Sequence, residues 1–170
     1  MQVLAPAIPR PTTALRSARQ TAGIVLIALV AGATFGIWRG YDPGGYAAQT
    51  FLEAHQGAVR GLNALLPGLA AGALVVTLTL AFGARRNPRA LWLYGLAMGL
   101  TIAGGVVTRL VNQPINAEVM GWTVDTMPAD WADLRDRWWT WHLIRTGFSG
   151  AALLVMILAV FADRDSGGAG

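Results

Sequence analysis

The sequence predicts an all-α protein, a membrane-embedded four-helix bundle, and three observations support this prediction. Four apolar stretches approach or exceed the roughly 20 residues that a helix needs to cross a bilayer. Only 13% of the 170 residues are charged, whereas a soluble domain carries about 25%. The mean hydropathy is +0.47, and every basic side chain other than histidine is an arginine, most of them flanking the apolar stretches. Such a distribution is typical of membrane helices and their loops.

The N-terminal region combines a basic segment with the first apolar stretch. Residues 1–19 contain three prolines and three arginines and are predicted to form a disordered arm. The apolar stretch 21–38 is longer than the roughly 7–15-residue core of a signal peptide, and no Ala-x-Ala cleavage site precedes Arg39. We therefore expect it to be retained as the first membrane helix. The predicted four-helix domain spans residues 20–163, followed by a flexible tail over residues 164–170.

The second predicted helix covers residues 47–83, which is more than a bilayer requires. Polar side chains recur along one face of its first half at spacings of four and three. These are Gln49, Glu53, Gln56, Arg60 and Asn63. His55 falls on the opposite, apolar face, so it is expected to matter less to turnover than Arg145, which lies on the polar face of helix 4. Pro67 is expected to kink the helix where the polar stripe ends, because proline removes a backbone hydrogen bond.

The third predicted helix covers residues 90–111 and follows a short basic loop. Several glycines along it would allow close helix approach. Arg109, Asn112 and Asn116 share one face at spacings of three and four. Pro114 lies between them and is expected to kink or end the helix.

The fourth predicted helix begins after an acidic segment. Asp130 is expected to cap a helix that runs on into the apolar stretch 138–161. Tryptophans gather at its start, which indicates an aromatic belt at the membrane interface. A common face carries Trp138, Trp141, His142, Arg145 and Ser149.

The arginine distribution also predicts orientation and partners. The N-terminal arm and the loop at residues 84–89 are predicted to be cytoplasmic, which places both termini on that side of the cell membrane. The net charge of +4 does not concentrate on one amphipathic face, so nucleic acid is not expected as a partner. The lipid bilayer is the expected partner, and assembly into a homo-oligomer stays open.

The polar faces of helices 2, 3 and 4 predict a functional site near one end of the bundle. Polar and charged groups inside a bilayer cost several kcal/mol unless they are partnered. The candidate catalytic residues are His142, Arg145, Arg109 and Glu53. The candidate substrate-binding residues are Asn112, Asn116, Gln56, Arg60, Trp138 and Trp141. The alternative is a set of interfacial residues that pair with one another, such as Glu53 with Arg60.

The two histidines, His55 and His142, are the candidate ligands for a haem or a single metal ion. The sequence contains no HExxH spacing, and it contains no cysteine. It therefore leaves three possibilities open: no cofactor, haem, or one metal ion.

Three segments resemble a family of small four-helix membrane proteins that includes the anthrone oxygenases of polyketide pathways. They are FLEAHQGAVRGLNALLP at residues 51–67, NQPIN at 112–116 and WxxLRxRWWxWHLIRT at 131–146. The sharpest motifs are Asn112-x-Pro114-Ile115-Asn116 and Trp139-x-x-His142-x-x-Arg145, although family members can hold Asn at the His142 position. The resemblance covers about residues 22–160 and implies oxidation of an apolar aromatic, often phenolic, substrate by dioxygen.

The polar residues would support such a reaction in the following way. His142 or Glu53 would act as the general base. Arg109 and Arg145 would stabilise the resulting enolate or phenolate, and Asn112 and Asn116 would orient the substrate. The alternatives are a non-catalytic membrane partner or assembly protein and a small transporter, since both also place charge inside a helical bundle.

Overall fold

The computed structural model describes residues 11–165, and this part of the chain is helical with no strands. Its helices are α1 (Pro11–Gly40), α2 (Ala48–Leu62), α3 (Leu65–Gly83), α4 (Pro88–Val107), α5 (Gln113–Met120) and α6 (Trp131–Asp165). A short 3-10 turn at Pro43–Gly45 follows α1, and a π-helical turn at Thr108–Asn112 joins α4 to α5.

Four helical stretches are long and apolar enough to cross a membrane. They are Thr13–Gly45, Ala48–Gly83, Pro88–Met120 and Trp131–Asp165. The predicted all-α, four-helix architecture is confirmed, and the chain is an integral membrane protein.

The first helix begins earlier than the sequence predicted. Residues 11–19 were expected to belong to a disordered arm, but they form the start of α1. Proline is well tolerated at the first helical position, where its missing N–H has no helical partner in any case. Arg16 connects this first part of α1 to the C-terminal end of α6, since its Nε donates to Asp163 Oδ2 at 3.1 Å. Residues 1–10 and 166–170 of the predicted arm and tail lie outside the described residues.

Pro67 explains the break in the second membrane-spanning stretch. α2 ends at Leu62 and α3 begins at Leu65. Proline lacks the N–H that would reach the carbonyl of Asn63, four residues earlier, so the helix is interrupted just before it. The predicted disruption is present, and it turns α2 into a separate segment at one end of the bundle.

Pro114 has a different effect on the third stretch, which continues to Met120. The turn before it widens into a π-helix, and the Gln113 N–H bonds to the carbonyl of Thr108. A wider turn accommodates the proline ring, which would otherwise press on the carbonyl four residues earlier. π-Helical turns are frequent at functional sites.

Two apolar clusters hold these helices together. The larger one joins α1, α3, α4 and α6 through Ala73, Ala90, Tyr94, Ala152 and Met156, among others. The smaller one seats α2 against α5 and α6 through Phe51, Leu52, Ile115, Val119 and Trp138. Residues of both clusters line a cavity within the bundle.

Candidate functional site

The cavity has a volume of about 220 Å³ and is lined by all of the long helical segments. Most of the lining is apolar. Its polar and amphipathic members are Thr34, Tyr41, His55, Asn63, Thr101, Thr108, Arg109, Gln113, Asn116, Trp138, Arg145 and Ser149. Among the described residues, no aspartate or glutamate lines it. The cavity therefore presents positive charge and hydrogen-bonding groups without a negative charge to balance them.

Arg145 is the buried cation of this cavity, with 8% of its surface exposed. Its Nε and Nη2 donate to His142 Nδ1 at 3.2 and 3.0 Å, and its Nη1 lies 3.4 Å from Thr108 Oγ1. Both partners are neutral, and within residues 11–165 Arg145 forms no ion pair. A buried cation without a counter-ion is energetically costly. The site is therefore suited to a ligand that is anionic or becomes so.

His142 fixes the orientation of Arg145. Its Nε2 lies 3.1 Å from the carbonyl oxygen of Thr34, on α1. A carbonyl only accepts hydrogen bonds, so Nε2 carries the ring proton and Nδ1 keeps a lone pair for Arg145. His142 is fully buried and does not line the cavity. Its lone pair is already occupied, so its position fits support of Arg145 rather than the predicted role of general base.

A second set of hydrogen bonds converges on Asn116. Trp138 Nε1 donates to Asn116 Oδ1 at 2.7 Å, and His55 Nε2 lies 3.2 Å from the same oxygen. The Asn116 amide nitrogen donates to Asn63 Oδ1 at 3.0 Å. On the other side of the imidazole, the Tyr41 hydroxyl lies 3.4 Å from His55 Nδ1. This chain of contacts links the end of α1 with α2, α5 and α6.

Trp138 joins the two sets. Its ring stacks on His142 with centroids 5.1 Å apart and meets His55 edge-on at 4.7 Å. The Arg145 Cζ lies 5.9 Å from the same ring. The sequence placed Trp138 among the substrate-binding candidates, and the structure places it between both histidines at the cavity wall.

Asn112 lies behind the residues that line the cavity and is not itself part of the lining. It is fully buried, and its Nδ2 donates to the backbone carbonyl of Trp138 at 3.1 Å. Its Oδ1 has no hydrogen-bond partner among residues 11–165, and Asn112 does not line the cavity. Its placement ties the π-helical turn to α6, whereas the sequence predicted direct contact with the substrate.

Several other candidates lie outside the cavity. Glu53 is exposed and accepts a hydrogen bond from Gln49 at 2.9 Å. Arg60 is also exposed and lines no part of the cavity. Gln56 donates to the carbonyls of Val119 and Trp122, so it anchors the end of α5. Trp141 is half-buried and does not line the cavity.

Of the polar stripe predicted on helix 2, Asn63 lines the cavity, whereas Gln49, Glu53, Gln56 and Arg60 do not. The expectation that this face points into the site is therefore wrong except at Asn63. α2 lies at the end of the bundle and turns its apolar face inward, as an amphipathic helix does when water or headgroups cover its other side. That inward face carries His55 to the cavity. Tyr41 and Thr108 are two functional candidates that the sequence analysis missed, because Tyr41 follows α1 in a connecting segment and Thr108 lies in the unforeseen π-helical turn.

Arg109 remains at the cavity despite its exposure. It sits in the π-helical turn and lines the cavity together with Arg145. Of the four predicted catalytic residues, the structure thus brings Arg145 and Arg109 to the cavity and His142 directly behind Arg145.

The two histidines as arranged do not fit a haem or metal site. Each has both ring nitrogens within hydrogen-bond distance of a protein group. A ligating imidazole needs a free nitrogen lone pair, and a protein metal site usually gathers three or more donors. No group of three or more His, Cys, Asp or Glu side chains that could hold a metal comes together in residues 11–165.

The fold and cavity define a class: a four-helix integral membrane protein with an arginine buried at a mostly apolar cavity and without an acidic partner in the described part of the chain. Residues 56–155 match the sequence model of a family described as Anthrone oxygenase. The match covers more than half of the 170 residues. The chain therefore belongs to the anthrone oxygenase family, which confirms the resemblance seen in its motifs. No curated protein and no solved structure matches the chain.

Proposed function

We propose that this protein is a membrane-embedded oxygenase that oxidises an apolar aromatic substrate, of the phenol or anthrone type, with dioxygen. The observation that carries the proposal is the buried Arg145, which lines a mostly apolar cavity and has no acidic partner among the described residues. Family membership supplies the reaction class. An aromatic that becomes an enolate or phenolate would provide the missing negative charge.

The shape and chemistry of the cavity support a compact aromatic substrate. Its volume of about 220 Å³ lies just below the roughly 300–1,000 Å³ of common ligand sites. Apolar side chains such as Ile27, Val30 and Leu66 would contact the rings, while Arg145 and Arg109 would face the oxygen substituent. A membrane-embedded cavity suits a substrate that partitions into lipid.

The chemistry follows from placing the substrate oxygen near Arg145. Loss of a proton leaves an enolate or phenolate, and the guanidinium stabilises this charge strongly in a low-dielectric site. The electron-rich carbon then reacts with dioxygen and forms a carbon–oxygen bond. For a methylene group between aromatic rings, one oxygen atom remains as a carbonyl. The other leaves as water with the two methylene hydrogens, so dioxygen is the oxidant.

Oxygen transfer by the full-length protein tests the proposal. The protein is purified in detergent and given anthrone under ¹⁸O₂, with detergent alone as the control for spontaneous oxidation. We expect protein-dependent formation of the quinone with one ¹⁸O atom per molecule. A rate that does not exceed the detergent control for anthrone or for simple phenols would contradict the proposal.

We also propose that both termini face the cytoplasm and that the opposite end of the bundle, which carries the cavity, faces outward. The exposed arginines Arg85 and Arg86 support this orientation, because basic loops stay inside. The chain contains no cysteine, so Arg86→Cys and Asp125→Cys give single reporters. We expect an impermeant maleimide to label only the Asp125→Cys protein in intact cells. If Arg86→Cys were labelled and Asp125→Cys were protected, the protein would have the opposite orientation to the one proposed.

A further inference from the structure

We propose that His55 accepts the proton in this reaction and that the Tyr41 hydroxyl relays it from the substrate. This inference rests on the proposed function and names the base that it requires. The geometry around the imidazole supports it, because Trp138 and Asn116 together fix which ring nitrogen carries the proton.

The argument begins at Trp138, whose Nε1–H can only donate. The Asn116 side-chain atom 2.7 Å away must therefore be the amide oxygen. His55 Nε2 lies 3.2 Å from that same oxygen, so it must also donate. A neutral imidazole carries one N–H, which leaves the lone pair on His55 Nδ1.

That lone pair points to the Tyr41 hydroxyl, 3.4 Å away. Both Tyr41 and His55 line the cavity. The hydroxyl can donate to His55 while its own oxygen receives a proton from the substrate. The pair thus forms a proton path from the cavity to an imidazole that is itself fixed by Asn116.

His142 is the matched comparison, since it is also a buried imidazole beside Trp138, although it stacks on that ring and His55 meets it edge-on. Its Nε2 is committed to the carbonyl of Thr34, and its Nδ1 receives two N–H groups of the cationic Arg145. Protonation at Nδ1 would break both contacts and place two positive groups face to face. Protonation of His55 at Nδ1 only requires that Tyr41 reverse its hydrogen bond.

The charged and titratable groups around His55 are consistent with this role. Tyr41 from the segment after α1, Arg109 from the π-helical turn and Arg145 from α6 line the same cavity, and no described carboxylate does. His55 is therefore the base that the cavity offers. As the proton reaches His55, the negative charge left on the substrate lies in the cavity beside Arg145 and offsets the second positive charge.

The proton balance closes over one turnover. The substrate proton moves to the Tyr41 oxygen as the Tyr41 proton moves to His55 Nδ1, and the substrate keeps the electron pair. The resulting carbanion adds dioxygen to give a substrate peroxide anion. When the peroxide O–O bond breaks, the imidazolium returns its proton to the leaving oxygen, which departs as water with the remaining hydrogen of the substrate carbon.

A series of anthrones with graded acidity tests this assignment in the full-length protein in detergent. For weakly acidic substrates, we expect His55→Gln to lower kcat by about 10²–10⁴-fold, the usual contribution of a positioned base. The loss should shrink as substrate acidity rises, because a substrate that ionises unaided needs no base. His142→Gln is the matched control. Its loss should stay constant along the series, since it disturbs Arg145 instead.

Tyr41→Phe keeps the ring and removes the relay, so it tests the proposal even if His55→Gln does not fold. We expect a loss of at least roughly 10-fold with the same dependence on acidity. Suppose that the wild-type protein is active. If His55→Gln and Tyr41→Phe then lose turnover independently of substrate acidity, or keep wild-type rates, the proposed role of His55 is wrong. An inactive wild-type protein would instead overturn the proposed function itself, and this inference with it.

Discussion

Two buried polar clusters lie near opposite ends of the bundle. The terminal cluster surrounds Asp163, whose Oδ2 accepts hydrogen bonds from Arg16, Gln20 and Tyr94 at 3.1, 2.9 and 3.2 Å. The cavity cluster consists of Arg145, His142, His55 and Asn116. Arg145 and Asp163 are both on α6, separated by 18 residues, or roughly 27 Å at 1.5 Å per residue.

The two clusters differ in their charge balance. In the terminal cluster, Arg16 forms an ion pair with Asp163 at 2.5 Å, and neighbouring polar groups satisfy the carboxylate. In the cavity cluster, the partners that the described residues give to the cation Arg145 are neutral. A satisfied cluster fits a structural role, whereas an uncompensated buried charge indicates a group that a ligand must complete.

Among the variants that separate the roles of the two clusters, Arg145→Met is expected to lose the most turnover. We expect turnover to fall by about 100-fold or more, because the charge that stabilises the anionic transition state is lost. The fold should remain, since an apolar side chain of similar length avoids the cost of burying a charge that has no counter-ion among the described residues. Turnover with anthrone and thermal unfolding in detergent measure the two effects.

Arg16→Met is the control for this variant, because it removes a cation from the terminal cluster. We expect near-normal turnover at temperatures where the variant is folded. Turnover of Arg145→Met within a few-fold of wild type would remove the main residue on which the mechanism depends.

Asp163→Asn tests the structural role of the terminal cluster by removing its carboxylate. It leaves Arg16 without a carboxylate, and we expect a loss of about 1–3 kcal/mol in the free energy of unfolding. This range lies below that of a fully buried pair, because 43% of the Arg16 side chain is exposed and water screens its charge. Turnover of the folded protein should not change.

Chemical or thermal unfolding in detergent measures the loss, and Asp125→Asn in an exposed loop is the control. Unchanged stability with impaired turnover would assign the terminal cluster a functional role instead of a structural one.

Thr108→Asp would add a carboxylate to the cavity, which no Asp or Glu among the described residues lines. Arg145 Nη1 lies 3.4 Å from Thr108 Oγ1, so a carboxylate at this position can pair with the guanidinium. We expect KM for an acidic aromatic substrate to rise by about 10-fold, equivalent to about 1.4 kcal/mol. Thr108→Asn has the same shape without the charge and should change KM much less. Equal effects of both variants would show that shape, not charge, controls binding.

Much of the fold could be predicted because membrane helices follow from the length of apolar stretches. The two prolines also marked the two irregular points correctly. Their outcomes differ, however: Pro67 separates α2 from α3, while Pro114 widens a turn within a continuous stretch. The sequence could not decide between these outcomes, since they depend on how neighbouring helices pack.

The site was predicted less completely, for a physical reason. A polar stripe on a helix faces either a buried site or the water at the membrane surface, and periodicity alone is the same in both cases. Arg145 and Asn116, both candidates from the sequence, lie at the cavity. On α2 the stripe faces outward instead, so His55 is at the cavity and Glu53 is not. Tyr41 required the three-dimensional structure, because no periodic pattern places it beside His55.

Glu53→Gln should produce the smallest effect, and it tests the orientation of α2 directly. Glu53 is exposed and bonded only to Gln49 in the described part of the chain, one turn away on the same helix. A side chain that neither lines the cavity nor hydrogen-bonds to a residue that does is not placed to accept a proton from a substrate held there. We therefore expect turnover within about two-fold of wild type, together with a change in stability within about 0.5 kcal/mol, as for ordinary surface substitutions. His55→Gln, measured with the same substrate, supplies the contrast from the opposite face of α2. If Glu53→Gln were instead the variant with the large loss of turnover, the polar stripe of α2 would face the substrate. The assignment of His55 as the base would then be wrong.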